Sequence, residues 1–211
     1  MKGFLFDLDG VLVSTEHNHF VAWQRCAHSL GIPFSEQENE LLKGVSRVDS
    51  LKKILELGSK TISDTDFEAL LQSKNEYYLE SIQDLNQSNL LPGVLDLLIQ
   101  AKAKGIKLGV GSSSKNARFI LDKLQIASFF EVVIDGNGVT HPKPDPEVFL
   151  NGAKQLGLSP AECLVFEDAA SGVQAALAGG FKVVGVGNPH ISQLATYYYN
   201  DLTEFSLTNH A

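Results

Sequence analysis

From Pro92 onward the sequence changes period at regular intervals. A helical pattern over 93–104 gives way to an apolar run over 107–111, and the alternation repeats: helix 115–125, run 131–134, helix 146–157, run 163–166, helix 170–179, run 182–186. Alternation of this kind implies a parallel sheet with helices on both faces. A further apolar run, Gly3, Phe4, Leu5 and Phe6, opens the chain and brings the predicted sheet to five strands. Right-handed crossovers place most strand carboxyl ends along one edge, where open α/β sheets bind their ligands.

Between the first run and Pro92 the pattern is different. Phe20, Trp23, Ala27 and Leu30 recur at helical spacing until Gly31 and Pro33 end the segment, and further helices are predicted at 36–43, 47–57 and 64–82. No convincing strand appears before the LPGV turn at Leu91–Val94. The expected organisation is an α/β core made of 1–14 and 92–211, with an all-helical insert, 15–91, placed after the first strand.

The predicted strand ends carry the chemistry. The first run stops at Asp7 and Asp9, whose i, i+2 spacing points both carboxylates to one side, and Gly10 lets the chain turn away at once. Asp and Gly are also ordinary turn residues; the flanking apolar residues and the strand-end position favour a site. The second core strand runs into Ser112, Ser113, Ser114, Lys115 and Asn116, with Lys115 at a helix start, where an anion would be welcome and a cation is not. In HPKPDP, Lys143 precedes a helix expected to start with Asp145 as cap and Pro146 in its first turn. CLVFED delivers Glu167 and Asp168 together, a pair suited to a hard cation with oxygen ligands. In the insert, Ser46 and Asp49 form a capping-box-like pair that puts Arg47 in a first helical turn, and Lys74 falls on the apolar stripe of Phe67, Leu71 and Tyr78. A surface arginine and a snorkelling lysine account for these two equally well.

Composition narrows the partners. With 211 residues, 44% of them hydrophobic, a sizeable core is available, while a net charge of -8 and a pI near 5.2 argue against nucleic acid or an anionic membrane surface. No apolar run is long enough to span a bilayer. Cys26 and Cys163 lie in apolar surroundings without CxxC spacing, which points to reduced core thiols and a cytoplasmic protein. His17 and His19 have no third ligand at suitable spacing on their helix, so zinc is discounted. A monomer is expected.

FDLDGVLV resembles the signature of the haloacid dehalogenase superfamily, and the order DxD, Ser, Lys, acidic pair matches its four motifs across the core. The resemblance implies that Asp7 is a nucleophile and Asp9 a general acid/base. It implies that Ser112 and Lys143 hold a transferring phosphoryl group. Mg²⁺ would be bound by Asp7, the main-chain carbonyl of Asp9, Glu167 and Asp168. The stretches DLDGV, HFVAW, LKGVSRVDSLKKIL, SKNEYY, SSSKN and KPDPEVF are, further, similar to the β-phosphoglucomutase family. By that resemblance Arg47, with Ser114, Lys115 and Asn116, grips the second phosphate of a bisphosphorylated hexose. His19, Lys43 and Lys74 line the insert's side of the site, Thr15 lies at the hinge, and Trp23 and the loop Gly44, Val45, Ser46 complete the substrate-binding set.

The implied activity interconverts β-glucose 1-phosphate and glucose 6-phosphate through an aspartyl phosphate and a bound 1,6-bisphosphate. The alternative on the same fold is a sugar-phosphate phosphatase; a receiver phosphorylated on Asp, a third reading, is disfavoured by the long helical insert. Two positions depart from the family pattern: Ser14, where Asp is common before Thr, and His141-Pro142, where a small residue usually precedes the lysine.

Overall fold

The structure, a computed structural model, describes residues 1–42 and 45–209. The chain divides into two compact units, Met1–Ser14 with Leu85–Ala211, and Thr15–Asp84. In chain order the elements are strand β1 (Gly3–Phe6), helices α1 (Glu16–Ser29), α2 (Glu36–Glu40), α3 (Arg47–Leu57), α4 (Asp64–Ser81) and α5 (Val94–Ala103), then β2 (Lys107–Gly111), α6 (Ala117–Lys123), β3 (Val132–Ile134), α7 (Glu147–Leu156), β4 (Cys163–Glu167), α8 (Ala170–Ala178), β5 (Lys182–Val186) and β6 (Tyr197–Tyr199).

The first unit is built on one sheet in the order β3-β2-β1-β4-β5-β6, every neighbouring pair parallel. It has six strands, not the five expected. The additional strand, β6, sets Tyr197, Tyr198 and Tyr199 beside Val184, Gly185 and Val186. Its three tyrosines are only half-buried, and a short 3-10 turn at Pro189–Ile191 replaces a crossover helix, so the alternation that marks the other strands is missing.

β1 sits between β2 and β4, with Phe4 in register with Leu108 on one side and Leu164 on the other. A strand covered on both faces must be apolar throughout. Phe6 stacks on Phe166 at 4.6 Å, while Leu5 joins Phe149, Val165, Val173 and Val183 in a second layer. Leu90 bridges to Val13, and the Leu91 N–H donates to the Leu12 carbonyl (3.0 Å), tying the re-entering chain to the segment it left.

The second unit, Thr15–Asp84, has its own core of Trp23, Cys26, Ala27, Ile32, Leu51, Ile54 and Leu71, drawn from α1, α3, α4 and the α1–α2 connection. Ser46 and Ser63 cap α3 and α4 by accepting the N–H groups of Asp49 and Asp66. Among the described residues no helix is long and apolar enough to cross a membrane.

Candidate active site

The site of the first unit is assembled from strand ends. Past β1, the Asp7 N–H donates to the Phe166 carbonyl at 2.9 Å, so the ladder to β4 continues one residue and holds Asp7 against that strand. Asp7 is buried and Asp9 half-buried. The Gly10 N–H donates to the Val13 carbonyl at 2.7 Å, closing the turn, and Gly10 adopts φ of +85°, a conformation that favours glycine. A β-carbon at Gly10 would stand 2.0 Å from Asp168 Oδ2; the Asp168 carboxylate packs directly on this turn.

Lys143 joins the acids. Its Nζ donates to Asp7 Oδ1 (2.5 Å) and Glu167 Oε1 (2.6 Å), and lies 4.7 Å from the centre of the Phe149 ring. Glu167 Oε2 accepts the N–H groups of Asp168 and Ala169, both at 2.9 Å, where the chain enters α8. Asn188 Nδ2 donates to the Asp168 carbonyl at 2.8 Å. Ser112, buried at the end of β2, donates its N–H to the Ile134 carbonyl (2.9 Å) and accepts the Ser114 N–H on Oγ (3.1 Å). Ser114 Oγ in turn accepts the Asn116 N–H at 3.2 Å. The helix after this turn begins at Ala117, so Lys115 is exposed and lies outside α6 rather than in its first turn. Likewise α7 begins at Glu147 with Pro146 as cap, and Asp145 Oδ1 accepts the Glu147 N–H at 2.9 Å.

The electrostatics are dominated by crowding of acids. Burial pushes the Asp7 carboxyl up to about 7, with the Lys143 ammonium opposing the rise and the Glu167 charge adding to it. Asp168 is pushed up to about 9 by burial and by the charges of Glu167 and Asp7. Burial works against the Lys143 charge, but Asp7 and Glu167 outweigh it and hold the ammonium above its ordinary range. Among the described residues one lysine, Lys143, is thus set against four carboxylates, Asp7, Asp9, Glu167 and Asp168. An oxygen-only donor set with this charge imbalance fits a hard divalent cation.

A separate group, His141, Asp145 and Glu147, brings its donor atoms within 4.8 Å of one another on the Lys143 loop. Glu147 Oε1 accepts the Thr140 N–H (2.9 Å), and Oε2 accepts the His141 N–H (2.8 Å) and lies 3.0 Å from His141 Nδ1. The two backbone donors hold the Glu147 carboxyl below its usual range.

In the second unit Lys74 is 3% exposed, which excludes a snorkelling side chain. Its Nζ lies 2.6 Å from His19 Nδ1 and 5.0 and 4.8 Å from the ring centres of Trp23 and Tyr78. Tyr78 stacks on His19 at 4.1 Å, and its hydroxyl is 2.9 Å from Thr15 Oγ1. These five residues form one cluster in which Thr15, Trp23, Lys74 and Tyr78 are buried and His19 is half-buried. Arg47 is half-buried and donates from Nη2 to Asn75 Oδ1 at 2.7 Å. Val45 and Ser46 lead into α3, the Val45 N–H donating to the Leu42 carbonyl at 3.1 Å, while Lys43 and Gly44 lie outside the described residues.

Residues 1–180 match the haloacid dehalogenase-like hydrolase family. The chain belongs to that family. Within it, the chain is 43% identical to β-phosphoglucomutase of Bacillus subtilis (strain 168) over 189 residues, 89% of this chain and 84% of the relative. It is 33% identical to the phosphorylated carbohydrates phosphatase of Thermotoga maritima, covering 88% and 85%. The crystal structure of β-phosphoglucomutase from Clostridium difficile superposes with a TM-score of 0.96 at 36% identity, covering 99% of this chain and 95% of that one.

Three side contacts of the haloacid dehalogenase site were not anticipated from the sequence: the Glu147 carboxylate on its loop, the Asn188 amide on the Asp168 carbonyl, and the close approach of Gly172 to Glu167. Glu147 stands inside KPDPEVF and reads as an ordinary first-turn acid; its position two residues after Asp145, a capping residue type, is the signal the sequence offers. Nothing in the local sequence marks Asn188 or Gly172, because their partners lie in other segments.

Proposed function

We propose that the protein is a β-phosphoglucomutase, a cytoplasmic monomer that interconverts β-glucose 1-phosphate and glucose 6-phosphate. The observation that carries this reading is the joining of Asp7, Lys143 and Glu167 at strand ends in a chain 43% identical to β-phosphoglucomutase of Bacillus subtilis. Asp7 attacks phosphorus and forms an aspartyl phosphate. A carboxylate approaching a phosphate dianion meets repulsion of roughly 4 kcal/mol per charge pair near 4 Å at an intermediate dielectric. The Lys143 ammonium, already bonded to Asp7, offsets part of it and follows the charge onto the phosphoryl oxygens in flight. Mg²⁺, held by Asp7, the Asp9 carbonyl, Glu167 and Asp168, would supply the remaining positive charge.

Ser112 Oγ hydrogen-bonds the transferring group. Asp9, half-buried where Asp7 is enclosed, gives a proton to the leaving oxygen and later takes one from the incoming hydroxyl. The reading assigns the second phosphate of the 1,6-bisphosphate to Arg47, Ser114, Lys115 and Asn116, and the sugar to Thr15, His19, Trp23, Lys43, Gly44, Val45, Ser46 and Lys74. The part-buried Lys74–His19 pair supports a polar task for that cluster, since a lysine drawn out of water among aromatic rings costs desolvation that its polar and ring contacts offset.

The test supplies Mg²⁺, β-glucose 1-phosphate and a trace of 1,6-bisphosphate, and follows glucose 6-phosphate and free phosphate in parallel. Glucose 6-phosphate with little free phosphate is expected, and Arg47→Ala should reduce it more than release of phosphate from a small ester. Free phosphate alone would replace the mutase with a phosphatase on the same fold.

A further inference from the structure

We propose that Glu147 is a positioning residue for phosphoryl transfer, acting through Lys143 by clamping the loop that carries it. The inference rests on the reading of Lys143 as the cation that meets the transferring group. Lys143 is 6% exposed, yet its loop has almost no packing of its own: Thr140, His141, Pro142, Pro144 and Asp145 are all exposed. A buried ammonium that must hold Asp7 and Glu167 at 2.5 and 2.6 Å is thus presented by residues that are themselves exposed, with the nearest apolar anchor on the entering side at Val139, which packs on the core before the loop begins.

What fixes the segment is polar. On the entering side, the two oxygens of Glu147 accept the N–H groups of Thr140 and His141. Between them and α7, the Asp145 N–H donates to the Pro142 carbonyl at 3.0 Å and closes a turn around Lys143. On the leaving side Asp145 Oδ1 accepts the Glu147 N–H, so the clamp is itself held in the first turn of α7.

The same helix supplies Phe149, whose ring lies beside the Lys143 ammonium. One helix therefore touches both ends of the lysine, its main-chain path through Glu147 and, beside the bonds to Asp7 and Glu167, its charged tip through Phe149. The ring of His141, 69% exposed, adds a third contact to Glu147 that contributes little, as exposed ion pairs do. The two N–H bonds to a carboxylate are the strong ones.

The proposal separates from a purely structural role by a double-mutant cycle. Glu147→Ala should lower kcat about 10- to 100-fold, the range for misplacing a catalytic group by about 1 Å, with KM for the sugar phosphate changed less than threefold. Glu147→Gln, which keeps one acceptor oxygen, should fall between Ala and the unmodified protein. In a Lys143→Ala background the Glu147→Ala change should cost nothing further, because the residue it positions is gone.

Amide hydrogen exchange at Thr140 and His141, read independently of turnover, should accelerate in Glu147→Ala. Faster exchange with unchanged kcat overturns the proposal, as does a full additional loss in the Lys143→Ala background. The underlying reading fails differently: Lys143→Ala would then turn over as fast as the unmodified protein.

Discussion

Gly172 lies in the first turn of α8, where a β-carbon would stand 1.7 Å from Glu167 Oε1, 2.0 Å from Cδ and 2.6 Å from Oε2. Ordinary contact begins at 3.4 Å, so Gly172→Ala forces the carboxylate to move by roughly 1.5 Å, well beyond what a stiff, close-packed surrounding absorbs without loss. Its bonds to Lys143 at 2.6 Å and to the N–H groups of Asp168 and Ala169 at 2.9 Å cannot all survive that shift. Overpacking alone costs about 1–3 kcal/mol, and a buried polar group left without its partner costs about 1–3 kcal/mol more. A total near 4 kcal/mol lowers the melting midpoint by about 8–16 °C for a chain of this size. Displacing the group that braces Lys143 should also slow turnover about 100-fold.

The assay is thermal unfolding followed by circular dichroism, with kcat measured on the same preparation. Gly138→Ala is the control: its nearest contact would be an ordinary 3.5 Å, and a change within about 0.5 kcal/mol is expected. A Gly172→Ala protein with an unshifted midpoint and unchanged kcat would refute the account of Glu167.

Two further outcomes follow from the ionisable groups. Burial pushes the thiols of Cys26 and Cys163 up to about 11, so at pH 8 both should react with a thiol reagent at least 100-fold more slowly in the folded than in the denatured protein; fast stoichiometric labelling of the native form would contradict this. Asp168, pushed up to about 9, holds its proton at neutral pH when no cation is present, and Asp7, pushed up to about 7, holds one about half the time, while a cation binds their charged forms. Adding Mg²⁺ to chelator-treated protein in weak buffer at pH 7 should therefore release protons, and affinity should weaken as the pH falls; binding without proton release would count against the crowding described.

Much of the fold was legible because strands enclosed on both faces read as unbroken apolar runs. β1, β2, β4 and β5 announced themselves in this way, and the acids and serine singled out by position do stand at the ends of β1, β2 and β4. β6 was not legible: three half-buried tyrosines on a sheet edge, reached without a helix, carry neither signal. Lys74 shows a different limit. Its place on an apolar stripe was visible, but whether it reached solvent depended on His19 and Trp23, which α1 brings to it from more than fifty residues away. Glu147 was hidden because the bonds it makes are to main-chain N–H groups, which no residue type records.

The central place of β1 has a consequence for synthesis. The strand bearing Asp7 leaves the ribosome well before its neighbours, which carry Leu108 and Leu164, and the helical unit Thr15–Asp84, with an apolar core of its own, is complete before either exists. Pairings between such distant segments are slow to form, and until β4 arrives the first strand keeps an open, apolar edge that invites aggregation. The same delay applies to the site. A nascent chain displays Asp7 long before it owns Lys143, Glu167 and Asp168, so the cluster of charges around that carboxylate is assembled only when β4 pairs with the earlier strand.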